Sequence, residues 1–121
     1  MNLAWRGRVD LPASTDTQRW HQGVAQDPRP GVPGIALLGF ASDEGVRRNA
    51  GRPGAAQGPG ALRHALANLP VLHCVPLYDA GDITCMDQAL ELAQARYSHR
   101  AQQLLDQGHW VIGLGGGHEI G

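Results

Sequence analysis

Two groups of residues in this 121-residue chain carry side chains that do chemistry. The first is His118 with Glu119. They follow a short apolar run, Val111 to Leu114, that breaks into Gly115, Gly116 and Gly117. A neutral imidazole is the commonest metal ligand, and a carboxylate beside it can ligate or move a proton. The alternative is a histidine that caps the next helix or packs in a loop. One histidine defines no coordination sphere, so spacing leaves both open. Phosphate cradling is excluded: Gly-x-Gly-x-x-Gly counted from Gly113 ends on His118, and no Lys-Ser or Lys-Thr pair follows.

The second group lies in the long stretch from Ala41 to Gly58, which holds Asp43, Glu44, Arg47, Arg48, Asn49 and Arg52. Connections this long in compact domains are usually functional or disordered. Three guanidinium groups and an amide suit charge-assisted bonds to a substrate's own carboxylates. Solvated surface charge is the equal alternative for Arg47, Arg48 and Arg52.

The elements that must position these groups follow from periodicity. Gly34 to Phe40 and the run before Gly115 are apolar without alternation, as in strands of a parallel sheet buried on both faces. Glycines at the carboxyl end let the backbone approach a ligand where open α/β sheets place theirs. Pro59 opens a helix with Leu62, Ala65, Leu66 and Leu69 as its apolar stripe, closed by Asn68 and Pro70. About Val75 to Asp79 reads as a strand whose Pro76 confines it to an edge. Asp79-Ala80-Gly81-Asp82 then forms the loop at its carboxyl end, with Asp82 as a turn residue in preference to an acceptor of backbone N-H groups that orients a neighbouring loop. A helix over about Asp87 to Gln107 has Leu90, Ala93, Tyr97, Ala101 and Leu104 on one stripe and Gly108 as its stop. Asp87 and Glu91 near its start, with Arg96 and Arg100 further along, suit the macrodipole.

The pattern is β-α-β-α-β, an α/β fold whose right-handed crossovers give a small parallel sheet, and with the proline-bearing second strand at the edge the strand order is 2-1-3. Residues 1–33 read as a polar amino-terminal arm broken by prolines. A short helix over Thr17 to Ala25 brings Trp20 and Val24 onto the domain's flank. Trp5 to Asp10 reads as an exposed docking arm. Residues 34–121 form the α/β part. Its third strand keeps an open side, which native proteins avoid. Either another chain completes the sheet, or the sequence is the front part of a longer protein whose carboxyl-terminal part is missing here.

These residues also carry a family resemblance. The run Gly39-Phe40-Ala41-Ser42-Asp43-Glu44-Gly45-Val46-Arg47-Arg48-Asn49, continuing through Gly51, Arg52, Gly54, Ala55, Gly58 and Pro59, resembles the arginase or ureohydrolase superfamily, in particular its formimidoylglutamase branch. Asp79-Ala80-Gly81-Asp82-Ile83 and Gly115-Gly116-Gly117-His118-Glu119 follow in that family's order, and Trp5 to Asp10 extends the likeness. The resemblance implies a three-layer fold and two manganese ions bridged by a hydroxide at the strands' carboxyl ends. It implies His118 as the first metal ligand, and hydrolysis of N-formimidoyl-L-glutamate to L-glutamate and formamide in histidine degradation. The family's later Asp-x-His-x-Asp and Asp-x-Asp ligand stretches do not occur in these residues. One ligand cannot hold two ions, so the expectation for the isolated chain is inactivity. An agmatinase-like enzyme acting on guanidino compounds, and a non-catalytic module completed by a partner strand, are the alternatives.

A formal net charge of -1 gives no electrostatic footprint for nucleic acid or an anionic membrane. No apolar run approaches the length of a bilayer span, and a signal-peptide apolar region is missing. A small-molecule substrate and a cytoplasmic location are the expectations, with a homo-oligomer left open. Cys74 and Cys85 form no C-x-x-C pair and no zinc spacing, and take no role.

Overall fold

The computed structural model describes residues 5–7, 19–48, 50–52, 54–69, 75–85 and 89–115. In chain order they form α1 (Trp20–Gly23), β1 (Val24–Ala25), β2 (Ile35–Ala41), α2 (Glu44–Arg48), a 3-10 turn (Ala55–Gln57), α3 (Gly58–Leu66), β3 (Leu77–Thr84), α4 (Leu90–Asp106) and β4 (Trp110–Leu114). The strands make one parallel sheet in the order β1-β3-β2-β4. The expected 2-1-3 order therefore holds for β3, β2 and β4, with β2 central.

Residues alternate across β2, and each face meets its own helix. Leu37 joins Trp5, Ala67, Leu77 and Leu114 on the α3 side, with Trp20, Val24, Ile35 and Leu66 packed against them. Ala36 and Leu38 meet Leu104 of α4, and Phe40 meets Leu90 and Ala93. Tyr97 stands edge-on to Phe40 with ring centroids 5.6 Å apart and donates its hydroxyl to the Leu38 carbonyl at 3.1 Å. The α4 stripe expected from the sequence is thus the buried one. Its stop is a Schellman motif: Gly108, at φ 92°, donates to Leu105 at 3.0 Å, and His109 donates to Leu104 at 3.1 Å. Glu91 lies in the first turn, but the last turn has no basic residue, so Arg96 and Arg100 do not complement the dipole there.

Several expectations are corrected. Pro76 does not leave β3 at the edge, because Val24 and Ala25 pair with Leu77 and Tyr78 just beyond it. The short helix stops at Gly23 so that these two residues can extend into that strand. On α3 the buried positions are Pro59 and Arg63, four apart, and Ala67 follows four further on. Leu62, Ala65 and Leu69 are exposed, so the apolar stripe read from the sequence is rotated away from the core. β4 is not covered on both faces: Trp110 is 61% and Ile112 45% exposed, and on that side only Leu114 reaches the cluster under α3. Trp5, read as part of an exposed arm, is buried against Leu37 and Leu77. Asn68 lies just past the end of α3; Pro70 and Asp87 fall outside the described residues.

The largest correction concerns Asp79 to Asp82, which lie inside β3 rather than in a loop. Between Leu37 and Gly39 of β2 the partner strand advances from Asp79 to Asp82, so β3 carries one extra residue. Gly81 takes the positive φ of 83° within this bulge. Residues three apart on a regular strand point to opposite faces. The extra residue returns Asp79 and Asp82 to the same side, where both meet Arg63.

Candidate functional site

The carboxyl ends of the parallel strands form one rim. β2 runs into Ser42, Asp43 and α2, β3 runs into Cys85 and then the start of α4, and β4 runs into Gly115. His118, Glu119 and Asn49 lie outside the described residues. The rim's described chemistry is therefore the stretch after β2 and the groups it meets.

That stretch is structured by its own polar residues. Ser42 is buried, and its hydroxyl accepts the Glu44 amide at 3.0 Å, starting α2. Asp43 Oδ1 accepts the amides of Gly54 and Ala56, both at 2.9 Å, folding the end of the stretch back onto its beginning. These backbone amides, Ala56 first, hold the Asp43 carboxyl below its usual range. Ala50 sits in left-handed backbone at φ 57°, a conformation costing a non-glycine residue roughly 1 kcal/mol.

Arg47 and Arg48 do not stand as separate surface charges. Glu44 is buried beneath them. Arg47 donates to it bidentately, Nε to Oε1 and Nη2 to Oε2, each at 2.7 Å, and Arg48 Nε reaches Oε2 at 2.8 Å. Arg48 then spans to α4, where Nη1 and Nη2 meet the Glu91 carboxylate at 2.5 and 3.2 Å. Arg52 is exposed, and no described contact ties it to this cluster. The structure thus brings Arg47 and Arg48 together and leaves Arg52 apart.

The Arg47 hydrogen bond, aided by Arg48, draws the Glu44 carboxyl down from its ordinary 4.5 to about 2. A carboxyl whose folded pKa is depressed stabilises the fold above its unfolded pKa and loses that stabilisation as pH falls. Urea midpoints are therefore expected to fall between about pH 4.5 and 2. Asp43 and Glu91 add to this slope, since both are also lowered. Glu44→Gln should flatten the slope; an unchanged slope would refute the Glu44 contribution.

Behind the rim lies a second charged cluster that periodicity did not expose. Arg63 is fully buried. Its Nη1 donates to Asp82 Oδ1 at 2.7 Å, and its Nη2 donates to Asp79 Oδ1 at 3.0 Å and the Gly81 carbonyl at 3.1 Å. Nε lies 2.9 Å from Asp79 Oδ2 as an ion-pair contact without hydrogen-bond alignment. Asp79 Oδ2 instead accepts the Trp5 indole N-H at 2.6 Å, and Oδ1 accepts the Gly81 amide at 2.8 Å. The cluster fixes the bulge, and the bulge fixes how β3 enters the rim. An arginine four positions from buried Pro59 and four from Ala67 was the available signal in the sequence.

Gly39 makes room for this arrangement. A Cβ there would stand 1.9 Å from Asp82 Oδ1 and 2.9 Å from Pro59 Cβ. Gly39→Ala must push Asp82 off Arg63 or α3 off the sheet, for an expected loss of about 1 to 3 kcal/mol in urea unfolding. A neutral substitution would show that the carboxylate can move freely.

Among the described residues no three His, Cys, Asp or Glu side chains gather to hold a metal ion. Asp79 and Asp82 are spoken for by Arg63, and Glu44 and Glu91 by Arg48. The described residues therefore do not by themselves fit a manganese site. No helix among them is long and apolar enough to cross a membrane.

Comparison with known proteins places these observations. The arginase family profile matches residues 33–121. The formimidoylglutamase of Chromobacterium violaceum is 55% identical over 115 residues, covering 95% of this chain and 37% of that protein. The formimidoylglutamase of Aeromonas salmonicida is 49% identical over 118 residues, covering 96% and 38%. Among solved structures, Trypanosoma cruzi formiminoglutamase with manganese superposes at a TM-score of 0.67, with 34% identity over 78% of this chain and 34% of that one. The chain thus spans well under half the length of these relatives.

Proposed function

Because this chain belongs to the arginase family, we propose that the protein is a manganese-dependent hydrolase that converts N-formimidoyl-L-glutamate to L-glutamate and formamide. The observation that carries this reading is the 55% identity to a formimidoylglutamase across 95% of the chain. The rim's chemistry supports the substrate class. N-formimidoyl-L-glutamate brings two carboxylates, and Arg47 and Arg48 are guanidinium groups already mounted on a buried carboxylate beside the strand ends. Arg47, Arg48, Asn49 and Arg52 are the proposed holders of those carboxylates.

His118 is the proposed metal ligand. When bound, manganese supplies an activated water and offsets the charge that develops on the attacked amidine. The family's Asp-x-His-x-Asp and Asp-x-Asp stretches do not occur in this sequence, so the isolated 121-residue chain is proposed to be inactive. What this chain's own side chains do is orient the acid: Glu44 fixes Arg47 and Arg48, and the Arg63 cluster fixes the strand ends behind them.

The products test the reaction. The manganese-loaded gene product containing this sequence should release formamide and glutamate in equal amounts. Release of ammonia in place of formamide would contradict the proposed bond cleavage.

A second reading, a non-catalytic module completed by a partner, is favoured by one feature, the exposed Trp110 and Ile112 on β4. A further parallel strand with its own covering helix is the occupant that fits. A discrete oligomer of the isolated chain under native conditions would support it, and aggregation would not.

A further inference from the structure

Arg48 holds two carboxylates that differ in kind. Glu44, on its Nε side, is 6% exposed, sits under two guanidinium groups and belongs to the built structure. Glu91, on its Nη side, is 72% exposed and comes from another element, the first turn of α4. The outer contact has Nη1 facing Oε1 and Nη2 facing Oε2. That fork is the geometry by which arginine takes any free carboxylate, including one on a small molecule. It also lies where α2 leaves β2 and α4 follows β3, on the rim of the sheet.

We propose that Glu91 is an internal stand-in for a substrate carboxylate, which the acidic substrate displaces from the outer fork of Arg48. The inference rests on the proposed reading of the substrate as an amino-acid-derived dicarboxylate. Two features carry it. Glu44 keeps Arg48 in place when Glu91 leaves, so the fork remains oriented for the incoming acid. An exposed ion pair is weak enough to exchange.

Glu91 thus sets the strength of acid binding, and its removal should tighten it. In the full-length gene product, Glu91→Gln should lower KM for N-formimidoyl-L-glutamate about two- to fivefold, with the change in KM rather than kcat. Its inhibition by L-glutamate should tighten by the same factor. A purely structural tie between α2 and α4 predicts the opposite sign, because loosening the rim would raise KM. Arg48→Lys keeps a charge but loses the fork, and should raise KM in both backgrounds. An unchanged or raised KM in Glu91→Gln would overturn the proposal. If the protein does not turn over this substrate, the functional reading fails separately. Calorimetric binding of L-glutamate then decides: tighter binding to Glu91→Gln supports the exchange, and equal or weaker binding overturns it.

Discussion

Replacing Arg63 with methionine should cost about 3 to 5 kcal/mol of stability, the largest loss expected from any single change in the described residues. The substitution preserves most of the buried volume and removes the charge. Asp79 is then left buried with the Trp5 indole and the Gly81 amide but no cation, and Asp82 loses its bond to Arg63 as well. Removing one partner of a buried pair is costly because the remaining charge stays desolvated. Arg63→Lys should recover only part of the loss, since an ammonium group cannot serve Asp79, Asp82 and the Gly81 carbonyl with the geometry of a guanidinium fork. Trp5→Phe should cost about 1 to 3 kcal/mol by stripping Asp79 of its indole donor. Urea unfolding of each variant and the double variant checks this. Coupling between Trp5 and Arg63 is expected because both act on Asp79. A loss under about 1 kcal/mol for Arg63→Met would contradict the picture of a closed buried cluster.

The second large effect is on activity. His118→Ala should lower kcat/KM of the full-length gene product by at least about two orders of magnitude and weaken manganese binding, if the proposed metal ligand is the one removed. Elemental analysis after dialysis reads the metal, and formamide release reads the rate. Folding should be nearly unchanged by circular dichroism. Full metal content with full activity would remove His118 from the site.

Much of the architecture is written in local pattern. The apolar run of β2, the α4 stripe and Gly108 are all local signals, and each resolves as the physics of strands, amphipathic helices and left-handed glycine caps requires. The α3 face was not legible in the same way. Counting apolar residues points to Leu62 and Leu69, whereas the buried residue is Arg63, whose partners lie 16 and 19 positions away on a strand. Asp79-Ala80-Gly81-Asp82 reads as a turn because bulges and turns use the same residues; only the register with β2 separates them. The charged stretch after β2 stands out by composition as a candidate site. Its wiring was not legible, since Glu91 is 43 positions from Arg48 and nothing local marks it as a partner. Trp5 escaped for the same reason, 74 positions from Asp79.

The measurement that tests the central claim most directly is a product assay on the manganese-loaded, full-length gene product, offered N-formimidoyl-L-glutamate, agmatine and arginine in parallel. The account predicts rapid formamide release from the first and little or no urea from the others, because Arg47 and Arg48 are the proposed holders of an acid's carboxylates, which agmatine lacks. Urea release from agmatine at an equal or greater rate would contradict the acidic-substrate reading, and absence of all three reactions would contradict the hydrolase assignment itself.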